Sequence, residues 1–151
     1  MKIYLASDHA GFELKEQIKA YLKERDFEIE DIGSFAYEPD DDYPDFVIPA
    51  ARKVAEDPER NRGIVLGGSG QGEAIVANKV KGVYAAHYYG GSLEIIELSR
   101  RHNDSNLLSL GARFLSKELA LRAVDLWLRT SFDGGRHERR LKKIKDMEEQ
   151  A

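Results

Sequence analysis

Short apolar runs alternate along this chain with longer stretches whose apolar residues recur every three or four positions. Residues 3–6 form the first run, closed by Ser7 and Asp8. Across 12–22 the apolar side chains at 14, 18, 21 and 22 fall on one face of a helix. Residues 27–32 alternate as a half-buried strand does. The polar stretch DDDYPDF then breaks the pattern. Pro44 suits the first turn of a helix reaching about residue 56, with Pro49 a candidate kink. Residues 64–66 read as a buried strand, followed by a helix over 73–79. A strand at 83–87, a helix at 92–101, a strand at 107–110 and an amphipathic helix at 116–130 complete the alternation. DGG ends that helix, and a charged helix runs from about 136 to the end. The order βαβαβαβαβα with short connections predicts a single α/β domain over 1–151. It would be a five-stranded parallel sheet with helices on both faces.

Ligands of such sheets bind beyond the carboxyl ends of the strands. That rule selects Asp8 and His9 after the first strand, and Gly67, Gly68 and Ser69 after the third. It also selects His87 and Tyr88 after the fourth, and Gly111 to Arg113 after the fifth.

The composition leaves this picture intact. Of 151 residues, 42% are hydrophobic and 33% charged. No apolar run is long enough for a bilayer, and the start MKIYLASD is too short for a signal peptide, so a cytoplasmic protein is expected. The net charge of −4 argues against non-specific nucleic-acid binding, although the segment GGRHERRLKKIK is basic. With no cysteine, disulfides and thiol chemistry are excluded.

The most pointed feature is GIVLGGSGQGEAIVANK, residues 63–79: a strand, a glycine turn and a helix start. A dinucleotide GxGxxG starting at Gly68 would need glycine where Glu73 stands. A P-loop from Gly67 would need lysine there. A GxSxG elbow would need glycine at Gln71. What survives is an anion-friendly turn, with backbone N–H groups and a helix dipole aimed at one point. Glu73 in the first helical turn is either a carboxylate settled on the dipole or a base beside an anion hole. In the second case burial would raise its pKa, the dipole would lower it, and the neighbouring N–H groups would hold an enediolate.

Four motifs in order, SDHAGFELK, GGSGQGEAIVANK, SRRHNDSN and GGRHERR, span roughly residues 2–144. On them the chain resembles the type B ribose-5-phosphate isomerase family, which includes related isomerases of allose and galactose phosphates. The resemblance implies a Rossmann-like three-layer α/β/α sandwich. It also implies a homodimer or tetramer with sites at the subunit interface, and no metal or organic cofactor. Many members carry a catalytic cysteine at the position of Gly67; a branch without it uses a glutamate in a GGSGxGE context. Gly67 and Glu73 match that branch.

The resemblance assigns roles to positions whose residue types suit them. Glu73 is the base for proton transfer between C2 and C1. Ser69 contacts the sugar oxygens, or caps the helix. The N–H groups from Gly70 through Gln71 and Gly72 to Glu73 hold the enediolate. His102 opens the ring, as suits a group titrating near neutrality, though a histidine after a helix also serves as a C-cap. Asn103 hydrogen-bonds sugar or loop groups, or simply turns the chain. Asp8 meets the sugar hydroxyls, or caps a helix. The phosphate falls to His9, Arg113, Arg136 and Arg140, the last two four apart on one helix face. His137 points about 100° away and is secondary. His102, Asn103 and Arg113 are expected from the partner subunit. Tyr43 lines the sugar pocket. Asp40 to Asp42 are expected as a solvated loop with a helix cap. HYYGGS, from His87 through Tyr88 and Tyr89, is not a family pattern and leaves the preferred sugar open. A six-carbon sugar phosphate, or a phosphosugar-binding module without catalysis, remain the other readings.

Overall fold

The computed structural model describes residues 1–151. Five strands, β1 (Lys2–Ser7), β2 (Glu28–Gly33), β3 (Arg62–Gly67), β4 (Ala85–Tyr88) and β5 (Leu107–Gly111), form one sheet in the order β2-β1-β3-β5-β4. All pairings are parallel. Six helices connect and follow them: α1 (Phe12–Glu24), α2 (Pro44–Glu56), α3 (Gln71–Asn78), α4 (Glu94–Arg101), α5 (Lys117–Arg129) and α6 (Arg136–Glu149). Single 3-10 turns at His9–Gly11 and Ala112–Phe114 follow β1 and β5.

Strand alternation builds two cores, because successive side chains leave opposite faces. Ile3, Leu5, Ile64, Leu66, Leu108 and Leu110 pack with α1, α4 and α5, around Ile18, Leu22, Ile96 and Trp127. Tyr4, Ala6, Val65 and Leu107 face the other way, onto Val47, Ala51 and Val54 of α2 and Ala77 of α3. This is the expected three-layer sandwich. Its order turns outward in both directions from β1 and β3, so the crevice at their carboxyl ends is the switch point where such sheets hold ligands.

Three local features depart from the sequence pattern. The fourth strand begins at Ala85, two residues later than expected. The Asn106 side chain accepts the Tyr84 N–H at 2.9 Å, so the ladder starts only at Ala85 opposite Leu107. Helix α2 runs through Pro49 and has no side-chain cap, although an aspartate cap was expected. Lys15, which no periodicity marks out, is fully buried. Its Nζ lies 2.7 Å from both Asp31 oxygens and donates to the Ser34 carbonyl at 2.8 Å. It ties α1 to the end of β2, where the loop leading to α2 begins. Helix α6 buries only Leu141 and is joined to the body near its end, where Glu148 accepts the Gly82 N–H and Glu149 meets Lys81. No helix is long and apolar enough to cross a membrane.

Candidate active site

Where β3 gives way to α3, Gly70 takes the left-handed backbone (φ 79°) that reverses the chain, with Leu110 backbone atoms 2.9–3.0 Å from where its Cβ would stand. Two tethers hold the turn. Ser109 donates to the Gly70 carbonyl at 2.7 Å, and the His87 ring pairs with the Ser69 carbonyl at 2.7 Å. His87 therefore sits within β4 and fixes the loop from behind. Tyr89 packs on His87 and Phe114 and covers Gly111, while Tyr88 is buried, its hydroxyl donating to the Gly91 carbonyl. The unfamiliar HYYGGS segment is thus a buttress of the loop.

Glu73 lies in the first turn of α3 and is only 3% exposed. A Cβ on Gly67 would overlap its carboxylate. The side chain thus folds back over the end of β3, into space any other residue at 67 would claim. Burial pushes its pKa up, its own N–H opposes, and the nearby charge of Asp8 adds to the rise. A carboxylate held this way is a stronger base than one in water, and it sits beside the N–H groups of the turn.

Around it the structure gathers much of the expected set. Asp8 is buried and accepts the Ala10 and Gly11 N–H groups at 2.9 and 3.2 Å, so it does cap the turn after β1. Ser69 accepts the Gln71 N–H at 3.3 Å, again a capping contact. Tyr43 lies against Gly72, its hydroxyl 2.5 Å from where a Cβ would be. Arg113 places its guanidinium over Gly68, 2.9 Å from the position of a Gly68 Cβ. It also donates its backbone N–H to the Gly68 carbonyl at 3.0 Å. Arg113 thus belongs to the same chain as the loop, and the expectation that a partner supplies it is corrected.

Asp41 corrects another expectation. One residue of the acidic run turns inward, and its Oδ1 receives the His9 backbone N–H at 2.9 Å and meets His9 Nδ1 at 2.7 Å. No spacing rule could have found this contact, which joins residues 32 apart.

His102, Asn103, Arg136 and Arg140 are not in this crevice. Helices of a parallel sheet run back against the strands, so α4 ends at the sheet's amino edge, just before β5. His102 is its C-cap, the backbone N–H bonded to the Leu98 carbonyl, and Asn103 follows in the turn. Arg136 and Arg140 lie on α6 at that same pole. The His137 ring stacks on His102 at 4.1 Å and 13°, and the Asp133 N–H reaches the Arg101 carbonyl. Partial burial, then His102, Arg136 and Arg140, lower the pKa of His137. The length of β5 alone separates the two poles by roughly 16 Å. The four predicted phosphate ligands are accordingly divided, His9 and Arg113 at one pole, Arg136 and Arg140 at the other.

Two clusters have the residue types of a divalent-cation site, Asp8–His9–Asp41 and His102–Asp133–His137. In the first, His9 Nδ1 is already engaged by Asp41. In the second, Asp133 is paired with Arg101 at 3.2 Å and two arginines flank the histidines.

A profile of the Ribose/Galactose Isomerase family matches residues 3–144. The chain is 46% identical to ribose-5-phosphate isomerase B of Mycolicibacterium paratuberculosis, covering 93% of this chain and 87% of that one. It is 40% identical to a putative sugar phosphate isomerase of Bacillus subtilis, over 99% and 98% of the two chains. The structure superposes on Mycoplasma genitalium ribose-5-phosphate isomerase B with bound ribulose 5-phosphate at a TM-score of 0.96. Identity there is 39%, over 99% of this chain and 97% of that one. The Clostridium thermocellum ribose-5-phosphate isomerase B superposes at 0.92, with 43% identity over 99% of each chain.

Proposed function

The chain belongs to the ribose/galactose isomerase family, and from that premise we propose that it interconverts D-ribose 5-phosphate and D-ribulose 5-phosphate. The observation that carries this reading is the Glu73 carboxylate, buried over Gly67 and raised in pKa beside the donors of the glycine turn. On the opened aldose, Glu73 takes the C2 proton, and the electron pair moves through C1–C2 to O1. The cis-enediolate would meet the N–H groups of Gly70 and Gly72, since that of Gln71 is taken by Ser69 Oγ and that of Glu73 by its own carboxylate. Glu73 then returns the proton to C1, while a proton passes from O2 to O1 with Ser69 at hand. Asp8 orients the hydroxyls, Tyr43 walls the sugar, and His9 with Arg113 takes the phosphate. The reaction is a redistribution of protons within one substrate and is proposed to need no cofactor.

Ring opening needs a proton carrier, and His102 fits, but it stands at the far pole of its own chain. We therefore place His102, Asn103, Arg136 and Arg140 of a second copy over this crevice, in a cytoplasmic homodimer. Exposed Tyr89 and Phe114, whose rings lie 6.3 Å apart, are candidates for the covered surface, since large apolar side chains seldom cluster uncovered on a monomer. Arg136→Ala and Arg140→Ala are each expected to raise KM about tenfold or more with little change in kcat, the effect of losing one charge-assisted phosphate contact. An unchanged KM in both would remove them from the phosphate site. Assaying a panel of ribose, allose and galactose phosphates tests the choice of sugar. Turnover confined to six-carbon substrates would overturn the pentose reading, and binding without any turnover would overturn the enzyme.

A further inference from the structure

The proposed chemistry gives His9 a phosphate but does not say why a histidine there should be cationic. Asp41 supplies the reason. Its Oδ1 receives both the backbone N–H and the ring Nδ1 of His9, at 2.9 and 2.7 Å. The Asp41 side chain is 10% exposed, and its second oxygen is buried with no protein partner. An acidic side chain from a distant loop is thus spent almost entirely on one imidazole. With Nδ1 donating to Asp41, the ring is held in one rotamer and Nε2 is left for a ligand. This is the arrangement by which second-layer carboxylates orient ligand histidines elsewhere.

We propose that Asp41 is a positioning residue for phosphate binding, which locks the His9 ring through Nδ1 and favours its cationic form, so that Nε2–H meets the phosphate as a charged donor. Every charged or titratable group facing the ring has a sign in this account. The hydrogen bond to Asp41 raises the His9 pKa most, partial burial opposes it, the charges of Asp8 and Asp41 add, and Arg113 subtracts. Tyr37 meets the ring edge-on at 6.2 Å and adds no charge near neutrality. A raised histidine is cationic below its folded pKa, so phosphate affinity should fall as pH rises past that value, later than it would for an unassisted imidazole.

The inference rests on the sugar-phosphate reading of this crevice, but its test does not require turnover. His9 is followed by imidazole NMR in the free protein and with inorganic phosphate added. In the wild type its titration midpoint should lie above 6.5 and rise further with phosphate. In Asp41→Asn it should fall back toward 6.5, and phosphate should bind about tenfold more weakly at pH 7.5. Asp41→Glu should restore part of both. In the isomerase assay, Asp41→Asn should raise KM about as much, with kcat nearly unchanged, and the rise in KM with pH should begin earlier. A His9 midpoint identical in wild type and Asp41→Asn would overturn the proposal, as would a loss in kcat at constant KM. Phosphate binding that follows the His9 titration in a protein without isomerase activity would uphold the proposal and reject the isomerase instead.

Discussion

Glu73→Gln should lower kcat by roughly a thousandfold or more, the range for removal of a positioned general base, and should make the protein more stable. Both halves come from one fact: the carboxylate is buried without a cation, beside Asp8. A folded-state pKa raised above 4.5 means that ionisation opposes folding at every pH above the unfolded value. Glutamine removes that opposition at pH 7, and no gain should remain below about pH 4, where both states hold the proton. In a domain of this size each kcal/mol recovered raises Tm by about 2–4 °C. Solvent exchange at C2, thermal melts at pH 4 and 7.5, and phosphate binding together check it. Exchange should vanish, Tm should rise only at the higher pH, and phosphate binding should persist. Gly67→Ala provides an independent leg. Its Cβ would displace the same carboxylate without removing it, so activity should collapse while the fold tolerates the shift of one side-chain end. Full activity in either variant would remove Glu73 from the chemistry.

The second large effect is on the fold. Lys15→Met keeps the length of the chain and deletes the ammonium that holds Asp31 and the Ser34 carbonyl. Breaking a buried pair from one side costs about 3–5 kcal/mol, because a desolvated charge is left behind. Here that predicts a fall in Tm of roughly 10 °C. Lys19 still reaches Asp31 at 2.8 Å and limits the loss. Removing both charges, Lys15→Met with Asp31→Leu, should recover much of it. The pH dependence separates this from a packing defect. Burial alone would raise the Asp31 carboxyl, but hydrogen bonds from Lys15, Lys19 and the Gly33 N–H outweigh it and set it below 3.8. A depressed acid stabilises the fold above its unfolded pKa and loses that contribution as pH falls through the folded one. Wild-type stability should therefore drop on acidification below about pH 4, and the variant should show a shallower drop. An equal slope in both would place the cost of Lys15→Met elsewhere.

The strands of the centre were legible in the sequence because Ile3, Leu5, Ile64 and Leu66 are buried by the strand period itself. The start of β4 was not, because a side chain, Asn106, replaces a ladder bond there. Lys15 hides its burial, since a lysine beside Leu14 reads as the edge of an amphipathic face until Asp31 arrives from β2. Asp41 was lost in a run of three aspartates, and only the folded loop singles it out. Glu73 was placed correctly at a helix start, but its collision with position 67 needs coordinates. The separation of His102 from Glu73 follows from topology alone. A helix following one parallel strand and leading to the next must end at the opposite pole.

That antiparallel return of α4 has a genetic consequence. If each working site combines Glu73 of one copy with His102 of another, a dimer mixing the two lesions keeps one intact site. Glu73→Gln and His102→Ala proteins, each inactive by itself, should regain activity when unfolded, mixed and refolded together. A hybrid dimer carries both lesions in one crevice and none in the other. Random pairing of equal amounts therefore restores about a quarter of wild-type activity. Two broken alleles of this gene would complement each other inside one cell.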